Sequence, residues 1–217
     1  MAPAVLTINS RNYGTWSMRG WLLCELAGID YVTEQVPIDD PSSRAELLLL
    51  SSSFLVPRLT VGDVEMWGTL SIAEYLAETF PDAGLLPADP VARALCRSIC
   101  DEMHSGFANL RSALPLNIKA HHPGFTLWEG AQRDVDRIVA IWQRCLHKSG
   151  GPFLFGPATQ AEAMFAPVCA RFATYDVTLP GDCASYRDQV LSMAEVREWI
   201  ASAQAEPDDL DELDVEF

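Results

Sequence analysis

Apolar and polar positions follow two different rhythms along this chain, and the change falls near residue 80. Val5-Leu6-Thr7-Ile8 is a short apolar run rich in β-branched residues and predicts a buried strand. A loop from Asn9 to Trp16 leads into the apolar stretch Ser17 to Ala27, which predicts a helix. A strand over 31–36 and a helix over 42–50 follow. Arg58-Leu59-Thr60-Val61 and Val64-Glu65-Met66-Trp67 are β-rich runs on either side of Gly62-Asp63, a two-residue hairpin signal within 56–67. Pro57 has no N–H for a ladder and so belongs at the start of that hairpin. A helix over 69–80 closes the segment. Pro81 to Asp89 has linker chemistry.

Beyond the linker the period is helical. Asp89 can cap a helix with Pro90 at its first position. Leu95, Ile99, Met103, Phe107, Leu110 and Leu114 then recur at spacings of three and four, which predicts one helix ending near Pro115. A second runs from Leu127 to Lys148 and stops at Gly150-Gly151-Pro152. Thr159 and Glu162 form a capping box before the apolar helix carrying Met164, Phe165, Val168 and Phe172. A last helix spans 193–203. The predicted organisation is an α/β domain over 1–80, a linker over 81–89, an all-α domain over 90–205 and an acidic tail over 206–217. Such a like-charge run is expected to be solvated; the alternative is a flap whose Leu210, Leu213, Val215 and Phe217 cover a groove.

The chain has 217 residues, 49% of them hydrophobic, and a formal net charge of -15. That charge argues against nucleic acid and anionic membranes as partners. No apolar run approaches the roughly 20 residues that span a bilayer, and the N-terminus lacks a signal-peptide pattern. A cytoplasmic protein with reduced thiols is expected. Six scattered cysteines show no C-x-x-C spacing; Cys96 and Cys100, four apart, read as core packing. The pair His121-His122 has no third ligand nearby in sequence, so no metal is expected.

Five segments together are informative. They are Tyr13-Gly14-Thr15-Trp16-Ser17-Met18-Arg19-Gly20-Trp21-Leu22, Leu55-Val56-Pro57-Arg58-Leu59, Ser71-Ile72-Ala73-Glu74-Tyr75-Leu76, Glu102-Met103-His104-Ser105-Gly106-Phe107 and Ala163-Met164-Phe165-Ala166-Pro167. In this order and spacing the chain resembles the glutathione S-transferase superfamily, in particular its bacterial and zeta-type members. The resemblance implies a thioredoxin-like domain with a cis proline at Pro57, followed by an all-helical domain. It also implies glutathione as cofactor, a small electrophile as second substrate, and a homodimer. In the family a hydroxyl at the start of the first helix stabilises the glutathione thiolate. The candidates here are Thr15 and Ser17; Gly14 stands where zeta-type enzymes carry the active serine. Leu55, Val56, Pro57, Gly68 and Thr69 fall where the family binds glutathione. Two of these positions depart from its pattern: Gly68 replaces an acidic residue, and Phe54-Leu55 replaces a polar one.

The helical half is expected to wall the second-substrate site. His104, Phe107 and Arg111 would share one face of a continuous helix. His104 is a candidate acid or base, and Arg111 a candidate anion clamp. Tyr13 and Trp16 are candidate substrate contacts from the loop. Three functions are compatible with the residues. One is a glutathione-dependent transferase or isomerase. Another is a glutathione-independent isomerase, lyase or cyclase of specialised metabolism reusing the cleft. The last is a non-catalytic binding protein.

Overall fold

Residue alternation and helix-stop signals translate into thirteen regions of regular structure or turn in a computed structural model that describes residues 4–37 and 56–207. The helix expected over 42–50, the contact at Leu55 and residues 208–217 of the acidic tail lie outside the described residues, while Glu206 at the start of the tail is buried and not solvated as expected. Four strands form one mixed sheet: β1 (Ala4–Ile8), β2 (Tyr31–Gln35), β3 (Arg58–Val61) and β4 (Val64–Trp67), in the order β2-β1-β3-β4. β1 runs parallel to β2, with Leu6 opposite Thr33, and antiparallel to β3, with Leu6 opposite Leu59. β3 and β4 are the expected hairpin, and Gly62 takes the positive φ of 60° that its turn requires. The Val56–Pro57 peptide is cis and immediately precedes β3.

α1 (Thr15–Ala27) connects the parallel pair and begins two residues earlier than its apolar stretch predicts. It is buried on nearly every side, because it lies on β1 and is covered by helices of the second half. α2 (Thr69–Thr79) follows the hairpin, and the linker contains a 3-10 turn at Pro81–Ala83. The rest is helical: α3 (Pro90–Ser105), α4 (Ala108–Ala113), α5 (Glu129–Ser149), α6 (Gln160–Thr174), α7 (Gly181–Leu191) and α8 (Ala194–Gln204). Asp89 caps α3 by accepting from the Ala92 amide at 2.8 Å. The capping box of α6 is present: the Thr159 amide donates to Glu162 Oε2 at 2.7 Å.

One expectation is corrected. The helix predicted through Leu95 and Leu114 is broken in two at Gly106-Phe107, where Phe107 takes φ 62°. A side chain holds the break. The Arg111 guanidinium folds back and donates to the carbonyls of Met103, His104 and Gly106, at 2.6, 3.2 and 2.6 Å. These groups have no continuing helix to bond, so the arginine caps α3.

α6 is the central helix. Residues on all its sides are buried, the pattern of a helix with no solvent face. α1 packs against it, and Gly20 of α1 lets Pro57 approach: a Cβ at Gly20 would lie 2.4 Å from Pro57 Cβ. On the far side of α6, Trp142 meets Phe165, Phe172 and Tyr186 edge-on. A fully buried aromatic or aliphatic side chain contributes about 1.5–3 kcal/mol, so this shared core joins the two halves.

Candidate active site

The loop before α1 is held by its own polar groups. Ser17 Oγ donates to Asn9 Oδ1 at 2.7 Å and accepts from the Asn9 amide at 3.0 Å. The Gly14 amide donates to the Ser10 carbonyl at 2.9 Å. Space at Gly14 is closed: a Cβ there would meet Ser10 O at 2.2 Å and Asn9 Oδ1 at 2.3 Å. Glu206, just past α8, accepts from Ser10 Oγ at 2.6 Å and from the amides of Arg11 and Asn12 at 2.9 and 3.0 Å. Gln35 also donates to it, and Lys119 Nζ donates to its main-chain carbonyl.

This loop delivers Thr15, half-buried as a residue, to the first turn of α1. Thr15 Oγ1 accepts a 2.6 Å bond from Arg171 Nη2 of α6, while Arg171 Nη1 donates to the Leu114 carbonyl. Two more guanidinium groups stand nearby. Arg19 is fully buried, donates from Nε to the Met164 carbonyl at 3.0 Å, and lies 4.7 Å from the centre of the Trp16 ring. Arg111 lies 5.1 Å from the centre of the same ring, and the His104 ring meets it tilted, at 5.0 Å and 58° between planes. Among the described residues the three arginines bond carbonyls, a hydroxyl and an indole face, and no carboxylate. Buried Arg19 Nη1 and His104 Nδ1 have no hydrogen-bond partner among the described residues.

These surroundings shift the titrations. Burial, then the charges of Arg19 and Arg111, hold His104 below its ordinary value. Burial, then Arg111, lowers Arg171 to about 9, so it remains charged at neutral pH. Burial lowers Arg19 further, with Arg111 and Arg171 adding to it.

Further along α1, the cis peptide at Pro57 packs on Gly20. The Gly68 amide donates to the Pro57 carbonyl at 3.1 Å, which ties the end of the hairpin to the start of α2. Gly68 adopts φ 82° and ψ 138°, backbone that β-carbon residues rarely take. Thr69 follows at the N-terminus of α2. It is fully buried, and its hydroxyl has no partner among the described residues.

The predicted site residues therefore divide. Thr15, Trp16, His104 and Arg111 come together, with Val56, Pro57, Gly68 and Thr69 on the sheet side. Ser17 is fully buried and committed to Asn9, so its hydroxyl serves the loop. Tyr13 and Phe107 are buried at 4% and 8% exposure and pack inward, and the helix break separates Phe107 from the face first expected for it. Arg111 caps α3 as well as facing Trp16. Arg19, Arg171 and Glu206 were not anticipated. A signal existed for the two arginines, since each is a lone cation in an otherwise apolar helix. The six cysteines are free and buried. Among the described residues no three His, Cys, Asp or Glu side chains converge, and none of the helices is long and apolar enough to cross a membrane.

A four-stranded mixed sheet with a cis proline packed on a hydroxyl-bearing helix, joined to a mostly helical half, defines a transferase fold. Residues 13–79 match the family model described as glutathione S-transferase, N-terminal domain. A glutathione transferase homologue from Burkholderia GL BGR1, solved with bound glutathione, superposes with a TM-score of 0.72. It is 20% identical and covers 94% of this chain and 100% of its own. The maleylacetoacetate isomerase of Mus musculus is 28% identical over 210 residues, 94% of each chain. That of Rhizobium meliloti is 29% identical over 170 residues, 75% of this chain and 79% of its own. Residues 13–79 thus match the glutathione S-transferase N-terminal domain, and the chain as a whole has the glutathione transferase fold.

Proposed function

We propose that this protein is a glutathione-dependent transferase or isomerase acting on a small electrophile, working in the cytoplasm as a homodimer. The observation that carries the reading is the Thr15 hydroxyl in the first turn of α1, the helix on which the cis Val56–Pro57 peptide packs at Gly20. Bound glutathione supplies a thiol that acts as a nucleophile once ionised. The Val56 backbone would hold it, together with Thr69 and the N-terminus of α2. The buried, unpartnered Thr69 hydroxyl and the helix end suit its carboxylate. Gly68 provides no counter-charge for its ammonium group. A free thiol has a pKa of about 8.5, and lowering it by about two units requires roughly 2.7 kcal/mol. A hydrogen bond to a charged group supplies about 1.5–3 kcal/mol, and a helix N-terminus about 0.3–1 kcal/mol. Thr15 at the start of α1 is therefore sufficient.

The second substrate would lie against Trp16, between His104 and Arg111. Three guanidinium groups without carboxylate partners among the described residues suit an anionic acceptor. The relatives named maleylacetoacetate isomerase bring isomerisation of that compound, or of one like it, within the proposal. Neutral His104 would serve as a base or acceptor toward it.

The test is calorimetric titration of glutathione into the wild type and Thr15→Ala, with ultraviolet thiolate absorbance read alongside. The expected result is binding to both proteins, with the thiolate signal confined to the wild type. Thr15→Ala should also lose about 10- to 150-fold in kcat/KM with an accepted electrophile. Absence of heat at several millimolar glutathione would sink the reading. Light scattering that returns the mass of a single chain would remove the dimer.

A further inference from the structure

We infer that Arg171, reaching across from α6, is the positioning residue that sets the Thr15 hydroxyl to donate to the glutathione thiolate. The inference rests on the glutathione-dependent reading above. Arg171 is 5% exposed in a helix that is buried all round, and its charge has no carboxylate partner among the described residues. A buried charge is costly unless its surroundings use it. Here both bonding ends of the planar fork are engaged, one on the Leu114 carbonyl and the other on Thr15 Oγ1. The fork is therefore fixed in orientation, as a flexible ammonium would not be.

A threonine hydroxyl carries one proton and two acceptor lone pairs. With one lone pair taken by a guanidinium, the hydroxyl keeps its proton and one lone pair, and the positive charge beside it favours offering the proton to the cleft. The same bond draws electron density from the oxygen and strengthens the hydroxyl as a donor. This is the polarity a thiolate requires and the opposite of what a neutral thiol, itself a donor, would use. Ionisation is balanced by release of the thiol proton to solvent. The charged and titratable groups around Arg171 are Arg19 from α1, Arg111 from α4 and Tyr175 just after α6, where the cations reinforce the same preference.

The experiment measures the apparent pKa of glutathione bound to the wild type, Arg171→Met, Arg171→Lys, Thr15→Ala and the Thr15→Ala/Arg171→Met double variant. The readout is thiolate absorbance against pH, with glutathione affinity determined separately by calorimetry. Arg171→Met is expected to raise the bound-thiol pKa by about one unit, from about 6.5 to about 7.5, which cuts the thiolate at pH 7 about threefold. Arg171→Lys should fall between it and the wild type. The double variant should match Thr15→Ala, because the arginine acts through that hydroxyl. If Arg171→Met fails to fold, Arg171→Lys carries the test through its partial shift. An unchanged thiol pKa in an Arg171 variant that still binds glutathione overturns this inference and leaves the proposed function standing. A double variant clearly worse than Thr15→Ala overturns it too, since the arginine would then act directly. Failure of the wild type to bind glutathione overturns both.

Discussion

At Gly14 the alternative to glycine is a collision. A Cβ would sit 2.2 Å from the Ser10 carbonyl and 2.3 Å from Asn9 Oδ1, and the Gly14 amide already donates to that carbonyl. A serine introduced at the position where zeta-type relatives use one would displace the loop rather than supply a second hydroxyl. Gly14→Ser is expected to lose about 1–3 kcal/mol of stability by overpacking and to gain no activity; urea denaturation and steady-state rates check both. His104 gives a pH prediction. Its folded-state pKa lies below the unfolded value of about 6.5. The unfolded chain therefore binds the proton first as pH falls. The contribution of His104 is complete above about pH 6.5 and is lost as pH drops through that value toward the folded-state pKa. The urea midpoint should decline from pH 7 to about 5.5, and the decline should be shallower in His104→Gln. Equal slopes in the two proteins would contradict this assignment.

The elements around the site are held by groups at their ends. Glu206, just beyond α8, gathers the Ser10 hydroxyl and the Arg11 and Asn12 amides onto one carboxylate, while the Trp199 indole donates to the Arg11 carbonyl at 3.0 Å. The loop that delivers Thr15 is thus fastened by the other end of the described chain. Glu206→Gln substitutes a weaker acceptor and turns an NH2 group toward donors. It should cost about 1.5–3 kcal/mol and lower the melting temperature, and a midpoint equal to wild type would remove the latch. Local signals of this kind are unevenly legible in sequence. The hairpin around Gly62, the cap at Asp89-Pro90 and the Thr159/Glu162 box could be read because their partners lie within four residues. The break at Phe107 could not, because apolar spacing stays helical across it. What holds the end of α3 is the returning guanidinium of Arg111. Arg171 and Thr15 are 156 positions apart, and Glu206 is 196 from Ser10. Spacing carries no information about such pairs, so the hydroxyl was legible while the group that orients it was not.

Across the whole molecule, the two halves share their costly contacts instead of merely touching. Arg19 of α1 is buried against the Met164 carbonyl of α6, and Arg171 of α6 is bonded to Thr15 of α1. Asn12 donates to Asn117 at 3.0 Å, and the Gln160 amide, at the start of α6, donates to the Leu85 carbonyl at 2.8 Å. Trp21 and Trp199 meet at 5.5 Å with Arg11 over both rings. If the sheet half unfolded alone, Arg171 would lose Thr15 and the cover of α1, and the apolar side of α6 that packs on α1 would meet water. If the helical half unfolded alone, Arg19 and Trp21 would lose their cover and the Thr15 loop would lose Glu206. Neither intermediate retains enough of the shared core to persist. Scanning calorimetry is therefore expected to show a single transition with calorimetric and van't Hoff enthalpies in a ratio of about 1. Two resolved transitions, or a ratio well above that value, would mean that the halves fold independently. The joint placement of Thr15 and Arg171 would then not depend on a common core.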